Sequence, residues 1–320
     1  MPPAPRLLAV AAVLAACTAL GCASAPEVYQ PTEPHYVEDQ IEFANASPQI
    51  EQGRDLLILD GLNHYVLSLP TKLLLLNWKL QDHEFPEHDR VILESYLAIN
   101  QLTSVKVRVN QYAPIGEWQR MWSNTQVGFG YRATLGMLTW LRYTLFPDRV
   151  FGGLPIPFVG GGDHFNPYTN TIHLFSSDLG VVLHEAGHAK DYIRHRSRGT
   201  TFALARLVPG VDLFQEARAS QDAIQYLYCR HQDEAEVRAY RTLIPAYSTY
   251  IAGYFSGGLV VTLPVVAAGH VSGRTQGAVR ARDIESERDA PNALTRRDLL
   301  PAFCTPIDVE CEHECASSAR

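Results

Sequence analysis

The sequence predicts an α+β fold, predominantly helical, with a small mixed or antiparallel sheet. Four stretches carry apolar residues at helical spacing, two shorter ones read as strands, and Gly/Pro-rich or polar segments punctuate them. Of 320 residues, 46 % are hydrophobic and 19 % charged, which excludes a disordered or fibrous chain. The net charge is −7 and no Lys/Arg block stands out, which argues against a nucleic-acid binder.

Residues 1–21 read as a targeting leader. Arg6 is followed by an apolar run from Leu7 to Leu20, too short and too Ala-rich for a spanning helix. Leu14-Ala15-Ala16-Cys17 and Ala19-Leu20-Gly21-Cys22 both fit a lipoprotein cleavage site, so the lipidated residue is Cys17 or Cys22. Cleavage before Cys22 leaves Cys229, Cys304, Cys311 and Cys315, an even set able to pair in an oxidising compartment, with the pairing open. Neither candidate is followed by Asp, which by resemblance to bacterial lipoproteins implies the outer membrane, with the body on its periplasmic face. Residues 22–52 hold four prolines and read as a flexible tether, residues 53–300 as the folded domain, and residues 301–320 as a Cys-containing tail.

Within the body, Glu87–Leu102 reads as an amphipathic helix through Val91, Leu93, Tyr96, Leu97 and Ile99. Ser104–Asn110 alternates valines with Lys106 and Arg108, the pattern of a half-buried strand. Arg132–Phe146 reads as a mostly buried helix stopped by Pro147, and Gly152–Gly162 as loop. Thr169–Phe175 reads as a short strand, Leu179–Arg194 as a helix capped by Asp178, and Leu213–Cys229 as a further helix. No Asp, Glu, Lys or Arg falls between Arg241 and Arg274. Residues 243–271 fit buried helices packed through Gly253-x-x-x-Gly257, or a membrane-inserted hairpin.

The chemistry-bearing motif is His184-Glu185-Ala186-Gly187-His188. On a helix, residues four apart share a face, so His184 and His188 can ligate one metal ion, with Glu185 in reach of its water. A catalytic zinc commonly takes a third protein ligand, and Glu216 is the candidate. It shares a helical face with Ala219, Ser220 and Ala223, small residues that allow close approach to the His helix. Asp191, one turn after His188, is a candidate to orient a ligand imidazole. Asp163 and His164 are secondary ligand candidates that read more simply as loop residues.

Over about Tyr168–Leu227 the chain resembles the zincin metallopeptidases, and among them the gluzincins, which join H-E-x-x-H to a Glu on a later helix. Glu216-x-x-Ala219 is similar to the Glu-x-x-Ala-Asp segment of CAAX-protease-like gluzincins, with Ser220 in place of Asp. The metzincin pattern does not fit, because Asp191 and Arg194 occupy its Gly and His positions. The resemblance implies a zincin-like fold with the sheet over the motif helix, and one zinc ion held by His184, His188 and Glu216. It implies hydrolysis of a peptide bond in an envelope peptide or protein, with Glu185 as general base. It also implies that Thr171, Ile172, His173 and Leu174 form the sheet edge along which an extended substrate lies. The oxyanion donor is open among Tyr226, Tyr228, His195, Arg218 and His270, and the oligomeric state is open as well.

Overall fold

The computed structural model describes residues 29–32, 48–154, 161–194, 200, 202, 204, 208, 210–255, 258–289 and 304. The leader with Cys17 and Cys22, most of the tether, His195, Cys311 and Cys315 lie outside the described residues. The chain groups into two compact units. One is Gln30–Ala219; the other takes in Tyr29 and the residues from Ser220 onward. The architecture is predominantly helical α+β, with one small mixed sheet.

In the first unit, β1 (Ile50–Gln52), β2 (Lys106–Val109), β3 (His164–Asn166) and β4 (Thr171–Leu174) form a sheet in the order β1-β2-β4-β3. The three strands β1, β2 and β4 run parallel, and β3 pairs antiparallel with β4. The helices of this unit are α1 (Leu57–Leu62), α2 (Leu69–Leu75), α3 (Glu87–Ile99), α4 (Pro114–Ser123), α5 (Phe129–Tyr131), α6 (Met137–Leu145), α7 (Asp148–Phe151) and α8 (Leu179–Arg194). A π-turn, Asn63–Leu67, follows α1, and another, Arg132–Gly136, links α5 to α6. Helix α9 (Val211–Cys229) begins in the first unit, and α10 (Asp233–Gly253) and α11 (Leu259–Asp289) belong to the second.

Register explains why the sheet is buried on both sides. Ile50, Val107, Val109, Ile172, Leu174 and Phe165 share one face, and Phe165 packs edge-on against Tyr192 of α8 at 5.3 Å. Glu51, Lys106, Arg108, Thr171, His173 and His164 share the other. Strand 104–110 is therefore not half-buried: all four β2 residues are buried. Its cations are tolerated because Lys106 pairs with Glu51 at 2.6 Å, and Arg108 pairs with Glu51 and, at 2.7 Å, with Glu117 of α4. Arg120, also on α4, donates to the carbonyls of Ser104, Thr169 and Asn170 at 3.0 Å and so clamps the starts of β2 and β4.

Segment 132–146 also departs from expectation. The π-turn adds a residue to one turn and rotates the apolar stripe, so Leu138, Leu141 and Leu145 face outward and only Gly136 and Tyr143 are buried. Helix α8 matches the expected Leu179–Arg194, and Asp178 accepts from the N–H of Val181 at 3.3 Å. Only Val181 and Arg194 of its residues escape full burial.

The second unit is built on the pairing of α10 with α11. Gly269, Gly273 and Gly277 face α10, and a Cβ on Gly273 would stand 2.4 Å from the carbonyl oxygen of Tyr240. Close packing therefore uses this later ladder rather than the Gly253 pair: open space surrounds Gly253, and Gly257 lies outside the described residues. Glu236 and Arg280 join the two helices at 2.8 Å. Among the described residues, no helix is long and apolar enough to cross a membrane.

Candidate metal centre

Helix α8 presents His184 and His188 on one face, and the first turns of α9 bring Glu216 to them. The Nε2 atoms of the two histidines lie 3.1 Å apart. Glu216 Oε2 is 3.0 Å from His184 Nε2, and its Oε1 is 3.3 Å from His188 Nε2. All three side chains are buried. Burial opposes ionisation of Glu216, but the imidazoles of His188 and His184 outweigh it and hold its carboxyl well below the ordinary carboxylate range.

These separations suit a metal ion. Bonds of about 2.0–2.2 Å at tetrahedral angles place donor atoms roughly 3.3 Å apart. Two imidazole lone pairs brought to 3.1 Å repel each other unless a proton or cation lies between them. Two imidazoles and a carboxylate are also a borderline-soft donor set that suits a first-row divalent ion. The group could thus hold a metal ion.

Close approach of the two ligand-bearing helices depends on small residues. A Cβ on Gly187 would meet the carbonyl oxygen of Ala219 at 3.1 Å and its Cα at 3.2 Å. Asp191 lies on the same pair of helices and bridges them through Arg218 at 3.1 Å. Ser220 is half-buried, one residue past the unit that holds the cluster.

Glu185 sits between His184 and His188 in sequence, and its Oε2 accepts the backbone N–H of Phe165 at 2.9 Å. This amide was invisible to sequence reasoning, since a backbone donor carries no residue signature. The sheet edge differs from expectation as well. Thr171–Leu174, expected as the substrate edge, lies inside the sheet between β2 and β3, and among the described residues the outer strand on that side is His164–Asn166. The reason is the turn at Pro167–Asn170, which folds β3 back along β4 and covers it. His173 is consequently buried, stacked on His164 with ring centroids 4.8 Å apart and 3.4 Å from Glu117.

Asp163 has a structural use. It accepts the N–H groups of Phe175 at 2.7 Å and Ser176 at 3.0 Å, as well as the Ser176 hydroxyl, tying the entry of β3 to the exit of β4. Burial pushes its carboxyl above the ordinary range. Neither Asp163 nor His164 joins the metal-ligand group. No family model matches the chain, and no curated protein or solved structure matches it either.

Proposed function

We propose that the chain is a zinc-dependent hydrolase of peptide bonds, of the gluzincin type, held by lipid at Cys17 or Cys22 in the bacterial cell envelope. The observation that carries this reading is the convergence of His184, His188 and Glu216 with Glu185 beside them, facing the outer strand of the sheet. Zinc, when bound by the three side chains, supplies Lewis acidity that activates water and polarises a carbonyl. Glu185 takes the proton of the attacking water and delivers it to the leaving amine. The Phe165 amide holds that carboxylate in one orientation. A peptide lying along β3 reaches Glu185, because an outward N–H of that strand already does. The disulfide between Cys229 and Cys304 supports an oxidising compartment such as the periplasm.

Metal content by mass spectrometry tests the site. Wild type is expected to carry one zinc per chain, with His188→Ala and Glu216→Ala losing it. Glu185→Gln is expected to keep the zinc and lose about 10²–10⁴-fold in kcat on a peptide substrate. Wild type without zinc would overturn the hydrolase reading. Zinc retained in Glu185→Gln with undiminished cleavage would reduce the protein to a metal binder.

A further inference from the structure

We propose that residues 56–78 form a membrane-docking face that lies flat in the lipid headgroup region. Helices of water-soluble proteins turn apolar residues inward and polar ones outward. This segment does the reverse. Leu57 and Ile58 are 87 % and 85 % exposed, and Tyr65, Val66, Leu73 and Trp78 are each more than half exposed. The buried positions are Asn63, Ser68 and Lys72, all essentially inaccessible, and a single apolar residue, Leu75.

The polar groups are turned inward and satisfied. Asn63 donates to the carbonyls of Val150 and Gly152 at 2.8 Å, and Ser68 donates to the carbonyl of Asn63 at 2.8 Å. Lys72 donates to the carbonyl of His64 at 2.8 Å. Asp60 and Lys72 are the two Asp, Glu, Lys or Arg residues of the run, and Asp60 is held by Arg149 at 2.7 Å. The outward surface between Arg54-Asp55 and Lys79 is thereby left almost free of charge. Scattered exposed apolar residues are ordinary, but a contiguous set with its charges folded underneath fits an apolar medium.

Three observations favour lipid as that medium. Helices α1 and α2 have 6 and 7 residues, which suits them to lie in the interface plane and not to span. Tyr65, and Trp78 beside Lys79, are side chains typical of the membrane–water boundary. The lipid anchor of the functional reading adds proximity: even fully extended, the chain from Cys22 to Pro48 reaches no more than roughly 90 Å. A body so tethered meets the bilayer continually, so a modest apolar face suffices to seat it.

Position-specific photo-crosslinking tests the proposal. The full chain carries p-benzoylphenylalanine in place of Ile58, Val66 or Leu73, and, as a control, in place of the exposed Glu94 of α3. Each purified protein is reconstituted into vesicles of phosphatidylethanolamine and phosphatidylglycerol and irradiated. Lipid adducts several-fold stronger at Ile58, Val66 and Leu73 than at Glu94 are expected. Adducts to protein at those positions, within one copy or between two, would overturn the proposal, as would equal labelling at all four. The mass of the N-terminal peptide reports acylation separately. An acylated chain without lipid adducts at Ile58, Val66 and Leu73 refutes docking and leaves the anchor standing. Lipid adducts on an unacylated chain uphold docking and refute the anchor. Neither result bears on the metal centre.

Discussion

Glu117 is buried beneath the charged face of the sheet, 2.7 Å from Arg108 Nε and 3.4 Å from His173 Nε2. Burial alone would raise its carboxyl, but His173 and Arg108 outweigh it and hold it far below the ordinary value of 4.5. A carboxyl depressed in the folded state contributes stability that is complete above its unfolded value and is lost as pH falls through the folded one. Glu117→Gln is therefore expected to lower stability at neutral pH by about 1.5–3 kcal/mol, because the buried Arg108 loses one of its two carboxylate partners and keeps Glu51. It is also expected to flatten the acid limb of the stability profile below pH 4.5, as read by urea unfolding across that range. An unchanged acid limb would mean that Glu117 is not the titrating group. Glu216 is ionised for a related reason, and the two imidazoles it faces are the side chains with which it could hold a metal ion. Both imidazoles and the carboxylate were legible in the sequence, since helical spacing alone puts His184 over His188. The pairing of Glu117 with His173 was not, because it depends on how α4 lies across β4.

Helices α8 and α9 show how an element's side chains set a chemical distance. Gly187 is the point where α8 meets Ala219, and the nearest neighbours of an added methyl are backbone atoms that cannot swing aside. Gly187→Ala gains up to about 1 kcal/mol of helix propensity and loses about 1–3 kcal/mol to overpacking. The net expectation is a loss of stability together with weaker metal retention, because the helix bearing Glu216 is pushed from the histidines. Gly61→Ala in α1 supplies the opposite sign: nothing lies within 4 Å of that position, so the variant is expected to gain stability by up to about 1 kcal/mol. Thermal unfolding of the two variants beside wild type, with metal content measured on each, checks both signs. The small-residue face around Glu216 was readable because close packing needs Ala or Gly whatever the partner. Helix boundaries at Asp178 and Arg194 were readable because capping is local. The outward stripe of α6 and the interior place of β4 were hidden, since a π-turn carries no residue signature and the short strand His164–Asn166 that covers β4 reads as loop.

At the scale of the whole molecule, the division into two compact units gives the disulfide a specific role. Cys229 ends α9 and is bonded to Cys304 across a separation of 75 residues, so the bond encloses the whole of α10 and α11. In the chain-entropy account, closing a loop of that length removes about 4–5 kcal/mol of disorder from the unfolded chain. The helical pair it encloses is held by the glycine contacts and the Glu236–Arg280 bridge, with many apolar side chains of α11 left exposed, among them Val260, Leu263 and Val271. A pair with so much unburied apolar surface depends heavily on a covalent closure. Replacing both cysteines with serine is therefore expected to lower unfolding stability by several kcal/mol, with the loss concentrated in α10 and α11, as read by hydrogen exchange. His184, His188 and Glu216 all lie in the unit ending at Ala219, so metal content is expected to persist in the same variant. Faster exchange spread evenly over both units, with loss of metal, would instead mean that the bond supports the metal centre as well.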